Sequence, residues 1–185
     1  MIIISAPSGA GKTTIIKELL KRGLNLEFSV SATSRAKREG EIDGKDYYYL
    51  TAENFKKRID DNEFVEYEEV YSQQYYGTLK SELQRIWDID KHVLFDVDVK
   101  GGVKLKSIFG DKSKSIFIMP PSVDELEKRL RLRGTESEAS LTKRVTKAKE
   151  ELTYAPKFDI IVINDVLETA IEQAFSEISD FLKLK

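Results

Sequence analysis

The fifteen residues that open the chain, MIIISAPSGAGKTTI, constrain its fold more than any other stretch. Three isoleucines at 2–4 form a short apolar run typical of a buried strand, and a glycine-containing segment separates this run from a helical pattern over residues 13–22. Residues 6–13 read APSGAGKT, which fits seven of the eight places of the phosphate-binding loop pattern, with Ala6 at the place of the first glycine. This order predicts a nucleotide phosphate site.

Each residue type in this loop has a chemical reason to be there. Gly9 and Gly11 allow backbone N–H groups to turn towards phosphate oxygens, and the following helix directs its positive dipole end to the same place. Lys12 supplies a mobile charge for the β- and γ-phosphates, and the Thr13 hydroxyl can ligate magnesium. The alternative is a glycine turn with an accidental lysine. The residues expected to contact ATP here are Ala6, Pro7, Ser8, Gly9, Ala10, Gly11, Lys12, Thr13 and Thr14.

The composition, with 41% hydrophobic and 34% charged residues, is that of a soluble globular protein. Because 30 Lys and Arg face 32 Asp and Glu, the charge balance gives no reason to expect a nucleic-acid or membrane partner. The chain has no cysteine and no apolar run long enough for a membrane span. We therefore expect a cytoplasmic protein. The sequence does not indicate an oligomeric state.

Strand and helix patterns alternate along most of the chain, which predicts an α/β fold with a parallel sheet covered by helices on both faces. The tyrosine-rich section from residue 33 to about 79 is expected to be a separate, small antiparallel subdomain. We predict a second strand at 28–31, a turn at 73–77, a helix opening at Thr78 or Ser81, a strand at 92–99 and a short helix at 103–109.

Basic and hydroxyl side chains cluster in this subdomain. Guanidinium groups suit a phosphate dianion, and tyrosine hydroxyls can donate to its remaining oxygens. A solvated charge run is the alternative, although such a run does not require neighbouring tyrosines. The residues concerned are Ser31, Arg35, Arg38, Tyr47 and Tyr76.

Acidic residues form a second group. Asp96 and Asp98 are expected on one face of the strand at 92–99, where ligands of open α/β sheets bind, and Asp96 is placed to hold magnesium through water. A solvent-facing edge strand is the alternative. Carboxylates such as Glu66 and Asp98 can accept from the N1–H and N2–H of guanine, whereas they would repel the unprotonated N1 of adenine. These acids therefore favour guanine.

A third group lies in the run EKRLRLRGTESEASLTKR. Arg129 and Arg133 share a helix face because they are four residues apart, and Arg144 follows the polar loop. Arginines around such a loop suit a lid that neutralises a transferring phosphoryl group. For Arg131 a surface ion pair is the better interpretation.

Together these residues resemble the guanylate kinase family over nearly the whole chain. The motifs that carry the resemblance are SAPSGAGKTT, SVSATSRAKREGEIDGKDYYY, EFVEY, YYGT, DVDVKGG and RLRLRGTESEASLTKR. The resemblance implies a parallel core, an inserted GMP-binding subdomain and a small lid. It also implies transfer of the γ-phosphoryl group of MgATP to GMP or dGMP in purine nucleotide metabolism. The implied boundaries are core at 1–32, 80–133 and 144–185, GMP-binding subdomain at 33–79 and lid at 134–143.

Carried over position by position, the resemblance implies three sets of site residues. Lys12, Arg129, Arg133 and Arg144 act on the phosphates, and Asn164 lies near the adenine. The residues that hold GMP are Ser31, Arg35, Arg38, Glu41, Tyr47, Glu66, Tyr76, Thr78 and Asp98. The chain departs from the common family pattern at two of these places. Ala6 stands where glycine is usual, and Lys100 stands where glutamine is usual.

Two competing hypotheses stay open on the sequence alone. One is a non-catalytic scaffold of the same fold that binds phosphorylated proteins, but such domains typically lose the lysine and arginines that this chain keeps. The other is a kinase of the same architecture that phosphorylates a different small acceptor.

Overall fold

A computed structural model describes residues 1–132 and 138–183 of the chain. The strands are β1 (Ile2–Ser5), β2 (Leu26–Ser29), β3 (Ala32–Thr33), β4 (Tyr48–Tyr49), β5 (Phe64–Tyr71), β6 (Gln74–Leu79), β7 (His92–Asp96), β8 (Lys114–Met119) and β9 (Ile160–Ile163). The helices are α1 (Lys12–Lys21), α2 (Ala52–Asp60), α3 (Lys80–Trp87), α4 (Val99–Phe109), α5 (Val123–Leu132), α6 (Glu138–Leu152) and α7 (Leu167–Lys183). No helix within these ranges is long and apolar enough to cross a membrane.

The chain divides into two compact units. One consists of Leu26–Asp96 together with Met1, and the other of Ile2–Asn25 and Val97–Lys185. We refer to them as the acceptor unit and the loop unit, after the sites described below.

The loop unit contains three parallel strands, with β8 between β1 and β9. The three isoleucines of β1 are completely buried, as are Ile116, Phe117 and Ile118 of β8, as expected for strands of a parallel sheet that is covered on both faces. Because the strands are parallel, their carboxyl ends lie at one edge, and the glycine loop and Asn164 both follow such ends. Helices α5 and α6 pack through Leu126, Leu130, Leu141, Val145 and Ala148.

The acceptor unit contains the parallel pair β2 and β7 and a four-stranded mixed sheet in the order β4-β3-β6-β5. Strand β3 runs parallel to β4 and antiparallel to β6, which is also antiparallel to β5. Phe55 of α2 stacks on Phe64 with ring centroids 4.3 Å apart, and Tyr75 completes this core. Helix α2 begins after Thr51, whose hydroxyl accepts the N–H of Asn54 at 3.1 Å. The predicted α/β class with parallel strands is confirmed.

Several local predictions are wrong. Residues 74–79 form β6 and not a turn, because the reversal is completed at Gln73, which has a φ of 60°. Consequently α3 starts at Lys80, after a cap residue, Leu79, that makes no side-chain hydrogen bond. The second strand lies at Leu26–Ser29 and not at 28–31.

The most consequential correction concerns Asp98, which does not share a strand face with Asp96. Strand β7 ends at Asp96, and Asp98 is the N-cap of α4, where its Oδ1 accepts the N–H of Gly101 at 2.8 Å. An aspartate that satisfies a helix N-terminus is stabilising, and this local preference overrides the alternating pattern of the preceding strand. For the same reason α4 begins at Val99 and not at 103.

Candidate active site

The glycine loop joins β1 to α1, and its conformation explains which of its glycines are required. Gly9 and Gly11 have φ values of 92° and 91°, a region that residues with a Cβ rarely adopt. Ala6 does not have a positive φ, so alanine is accommodated at the place where the loop pattern has its first glycine. The loop geometry therefore tolerates the one departure from the pattern.

The loop offers backbone donors to an anion. Within the loop, the N–H of Ala10 donates to the Pro7 carbonyl at 3.2 Å, and the Gly11 carbonyl accepts from Thr14 at 3.1 Å. The N–H groups of Gly9 and Gly11 donate no hydrogen bond within the described residues. The first N–H groups of a helix also lack partners inside it, so this loop and the start of α1 together are suited to binding an anion.

Two side chains at the start of α1 suit nucleotide phosphates. The Nζ of Lys12 donates to the carbonyl oxygen of Val97 at 3.2 Å, so its ammonium lies beside the segment that precedes α4. Thr13 is exposed on the first turn, and its hydroxyl is therefore accessible to a hydrated cation. These residues fit a magnesium-bound triphosphate.

Asn164, predicted near an adenine, is only 4% exposed and is tied to the loop. The side-chain Nδ2 of Asn164 donates to the Ala10 carbonyl at 2.7 Å, and the backbone carbonyl of Asn164 accepts from Arg129 Nη1 at 3.0 Å. A Cβ on Gly11 would overlap the Asn164 amide. Asn164 thus holds the loop in place through a hydrogen bond to its backbone.

Two of the three predicted lid arginines are described. Arg129 donates from Nε to Glu125 at 3.0 Å, and Arg144 donates from Nη2 to the Ser8 hydroxyl at 2.5 Å. Arg133 and residues 134–137 of the predicted lid lie outside the described residues. Arg131 pairs with Glu127 at 2.9 Å on an exposed surface, as predicted.

Glu151, whose carboxylate contacts the same loop, is not among the site residues predicted from the sequence. It is 8% exposed, and its Oε2 accepts the N–H of Ser8 at 3.4 Å. Burial raises the pKa of Glu151, which opposes the effect of the nearby Lys147. The spacing could have found it, because Glu151 follows Arg144 by seven residues and so lies on the same face of α6, two turns on.

In the acceptor unit, Arg35 and Glu41 form a bidentate ion pair. The two terminal nitrogens of Arg35 donate to the two Glu41 oxygens at 2.9 and 2.8 Å, and the Arg38 N–H adds a bond of 2.8 Å. The Arg35 hydrogen bonds foremost, and then the Arg38 N–H, lower the pKa of Glu41 to about 2. The same ion pair raises the pKa of Arg35.

Three tyrosines surround this pair. The guanidinium of Arg35 lies 5.3 Å from the ring centroid of Tyr47 and 5.7 Å from that of Tyr49, and Tyr47 packs edge-on against Tyr76 at 5.9 Å. Burial, and to a lesser extent the charge of Asp96, raises the pKa of Tyr47. The structure thus brings together four of the residues predicted to hold an acceptor phosphate, Arg35, Glu41, Tyr47 and Tyr76.

Arg38 differs from Arg35 in its surroundings. Its side chain is exposed and makes no hydrogen bond or ion pair with the residues that the structure describes. Arg38 is therefore an available positive charge beside a charge-neutral pair.

A buried acid faces its threonine neighbour across β5 and β6. Glu66 and Thr78 are paired in the strand register, and the Thr78 hydroxyl donates to Glu66 Oε1 at 2.8 Å. Glu66 is 4% exposed and Thr78 is 1% exposed.

Ser31 also belongs to the acceptor unit, and its carbonyl accepts the N–H of Tyr48 at 2.9 Å. Asp98 belongs to the loop unit.

Comparison with known proteins relates the chain to one family. Residues 1–181 match the family model described as guanylate kinase. The chain is 54% identical to a guanylate kinase of Porphyromonas gingivalis, over 98% of this chain and 97% of that protein. It is 50% identical to one of Bacteroides fragilis, over 98% of this chain and 89% of that protein. The crystal structure of guanylate kinase from Anaplasma phagocytophilum superposes with a TM-score of 0.75 at 31% identity, covering 100% of this chain and 84% of that one.

Proposed function

The chain belongs to the guanylate kinase family of nucleoside monophosphate kinases, and on that premise we propose that it transfers the γ-phosphoryl group of ATP to GMP, giving ADP and GDP. We further propose that dGMP is a slower acceptor and that the reaction takes place in the cytoplasm.

On the donor side, the loop unit supplies the groups that phosphoryl transfer needs. The N–H groups of Gly9 and Gly11 and the ammonium of Lys12 bind the phosphates of ATP, and Arg129 and Arg144 add positive charge for the transition state. Thr13 would hold a magnesium ion directly and Asp96 would hold it through water, and the ion would supply positive charge that neutralises the phosphates. Asn164 keeps the loop in its binding conformation through the Ala10 carbonyl.

On the acceptor side, Arg35 and Arg38 have different roles. Three of the five Arg35 donors are committed to Glu41 and to the Ala36 carbonyl, so an acceptor phosphate must use the remaining N–H groups of the guanidinium. Since Glu41 cancels the Arg35 charge, Arg38 provides the net positive charge that a phosphate dianion requires. Arg35 then orients the phosphate, and Arg38 attracts it electrostatically.

The base is selected by Glu66. The Thr78 hydroxyl holds one carboxylate oxygen, and this fixes the group that accepts from the guanine N1–H and N2–H. Asp98 is proposed as a second acceptor, with one oxygen already used to cap α4. Ser31 and Thr78 complete the proposed contacts to GMP.

The observation that carries the choice of GMP is the buried Glu66 carboxylate with its Thr78 partner, because a buried acid needs donors and guanine provides two. Replacing Glu66 by Ala should lower kcat/KM for GMP by roughly 10- to 150-fold, equivalent to about 1.5 to 3 kcal/mol for a lost charged hydrogen bond. The KM for ATP should not change. Exposed Glu69 of the same strand, replaced by Ala, is the matched control. Unaltered kcat/KM for GMP in the Glu66 variant would refute the assignment.

The assignment of the two phosphate sites has its own test. Replacing Arg38 by Ala should weaken GMP binding and leave ATP binding unchanged, whereas the neighbouring exposed Lys37, replaced by Ala, should affect neither. If the Arg38 variant lost ATP affinity and kept GMP affinity, the donor and acceptor sites would be assigned the wrong way round.

A further inference from the structure

Tyr49 has no role in the function proposed above, yet it touches the acceptor phosphate cluster twice. Its hydroxyl donates to Glu41 Oε2 at 2.7 Å, and its ring lies 5.7 Å from the Arg35 guanidinium. Burial, followed by the hydrogen bond to Glu41, raises the pKa of Tyr49 to about 12, so the hydroxyl keeps its proton at neutral pH. Tyr49 is therefore a fixed donor to Glu41.

The Glu41 carboxylate is a crowded acceptor. Its Oε2 accepts from Tyr49, from Arg35 Nη1 and from the Arg38 N–H, whereas its Oε1 accepts from Arg35 Nη2. The Tyr49 bond is the shortest of the four. In a bidentate pair the planes of the carboxylate and the guanidinium are aligned. A group that fixes the orientation of the Glu41 carboxylate therefore also fixes the orientation of the Arg35 guanidinium.

The neighbouring Tyr48 shows that this contact is specific to Tyr49. Side chains alternate along a strand, and the Tyr48 hydroxyl donates at 2.8 Å to Glu82, a buried residue of α3. Glu82 also accepts the Val30 N–H and pairs with Arg85, so Tyr48 supports a separate cluster. The two adjacent tyrosines thus perform different tasks with the same chemical group.

We propose that Tyr49 is a positioning residue for the acceptor phosphate: through Glu41 it holds the Arg35 guanidinium in the orientation that receives the GMP phosphate. Glu41 accordingly acts on Arg35 and Arg38 and does not bind GMP itself, since a carboxylate beside a phosphate dianion would repel it. An arginine held in this way loses little side-chain freedom when the phosphate arrives. This inference rests on the proposed function.

The test compares Tyr49→Phe with Tyr48→Phe, which remove one hydroxyl each. Calorimetric titration with GMP should show a Kd raised roughly 3- to 10-fold for Tyr49→Phe, less than for loss of a direct charged hydrogen bond. Tyr48→Phe should leave the Kd for GMP unchanged. ATP affinity should be that of the wild type in both variants.

Two further measurements distinguish an effect of Tyr49 on the orientation of Arg35 from a general structural effect of the substitution. In an Arg35→Ala background, Tyr49→Phe should cause no further loss, because the arginine through which it acts is gone. Guanosine, which lacks the phosphate, should bind Tyr49→Phe as it binds the wild type. Any of three results would overturn the inference. They are equal GMP affinity of Tyr49→Phe and the wild type, the same loss of GMP affinity from Tyr49→Phe in the Arg35→Ala background as in the wild type, and weaker binding of guanosine to Tyr49→Phe than to the wild type.

Folding and function can be told apart in the same series. If Tyr49→Phe does not fold, as judged by thermal unfolding, Glu41→Gln takes its place, and its loss of GMP affinity should likewise vanish in the Arg35→Ala background. A loss that persists there overturns the inference. A wild-type chain that binds no GMP would overturn the proposed function, whereas GMP binding insensitive to Tyr49 overturns this inference alone.

Discussion

The side-chain amide of Asn164 donates to the carbonyl oxygen of Ala10 at 2.7 Å, which ties the end of β9 to the phosphate loop across more than 150 residues of sequence. The bond is buried, and Arg129 donates to the backbone carbonyl of Asn164. The conformation of the loop therefore depends on a residue far from it in the chain.

Replacing Asn164 by Ala should weaken ATP binding and lower stability, because the buried Ala10 carbonyl loses its donor. The expected cost is about 1 to 3 kcal/mol of unfolding free energy. Denaturant unfolding and ATP titration measure the two effects. Stability and ATP affinity equal to the wild type would show that the bond has no role in holding the loop.

Gly11 should not tolerate a side chain. At Gly11 alanine meets both a φ of 91° and an overlap with the Asn164 amide, whereas at Gly23 it meets only a φ of 72° with no atom nearby. Gly23→Ala should cost about 1 to 2 kcal/mol in unfolding free energy and keep activity. Gly11→Ala should cost more and lose most ATP binding. Equal behaviour of the two variants would contradict the role given to Asn164.

The loop and the alternation of strands and helices could be predicted because their signals are local. Isoleucine runs, glycines and the lysine lie within a few residues of one another, and each has a conformational reason for its place. Asp98 could not be placed so well, because the sequence shows an acid at an alternate position of a β-branched run, and only the folded chain shows that it caps α4.

Contacts between distant residues were harder to predict. Glu151 reaches Ser8 across 143 residues, and a charged residue on a helix usually faces solvent. The resemblance implies that Glu41 holds GMP, and the structure adds that Glu41 pairs with Arg35, because an acid and an arginine in one loop do not show by themselves that they pair with each other. The resemblance to a family supplied the positions but not these pairings.

Lys12 should matter to catalysis and not to folding. Replacing Lys12 by Ala should lower kcat by about 10²- to 10³-fold, as expected for a charge aimed at the transition state. The melting temperature should stay close to that of the wild type. Exposed Lys17 of the same helix, replaced by Ala, is the control and should keep full activity. A Lys12 variant with wild-type kcat would exclude the ammonium from the reaction.

Glu151 should make stability depend on pH in a particular direction. Burial holds its folded-state pKa above the unfolded value, so the penalty for its ionisation is absent below the unfolded pKa and grows as the pH rises through the folded pKa. Glu151→Gln removes that charge and keeps an acceptor for the Ser8 N–H. The variant should therefore melt at a higher temperature than the wild type at pH 8, with the difference disappearing near pH 4. A constant difference at all pH values would contradict this.

The central claim is that this chain phosphorylates GMP at the expense of ATP, and ADP release with each nucleoside monophosphate and with no acceptor tests it most directly. We predict the fastest release with GMP, slower release with dGMP and poor release with AMP, CMP and UMP. Release from MgATP alone should be at least about 100-fold slower than with GMP, a difference of about 2.7 kcal/mol in barrier. Comparable rates with AMP and GMP, or a rate without acceptor within about tenfold of the GMP rate, would contradict the account.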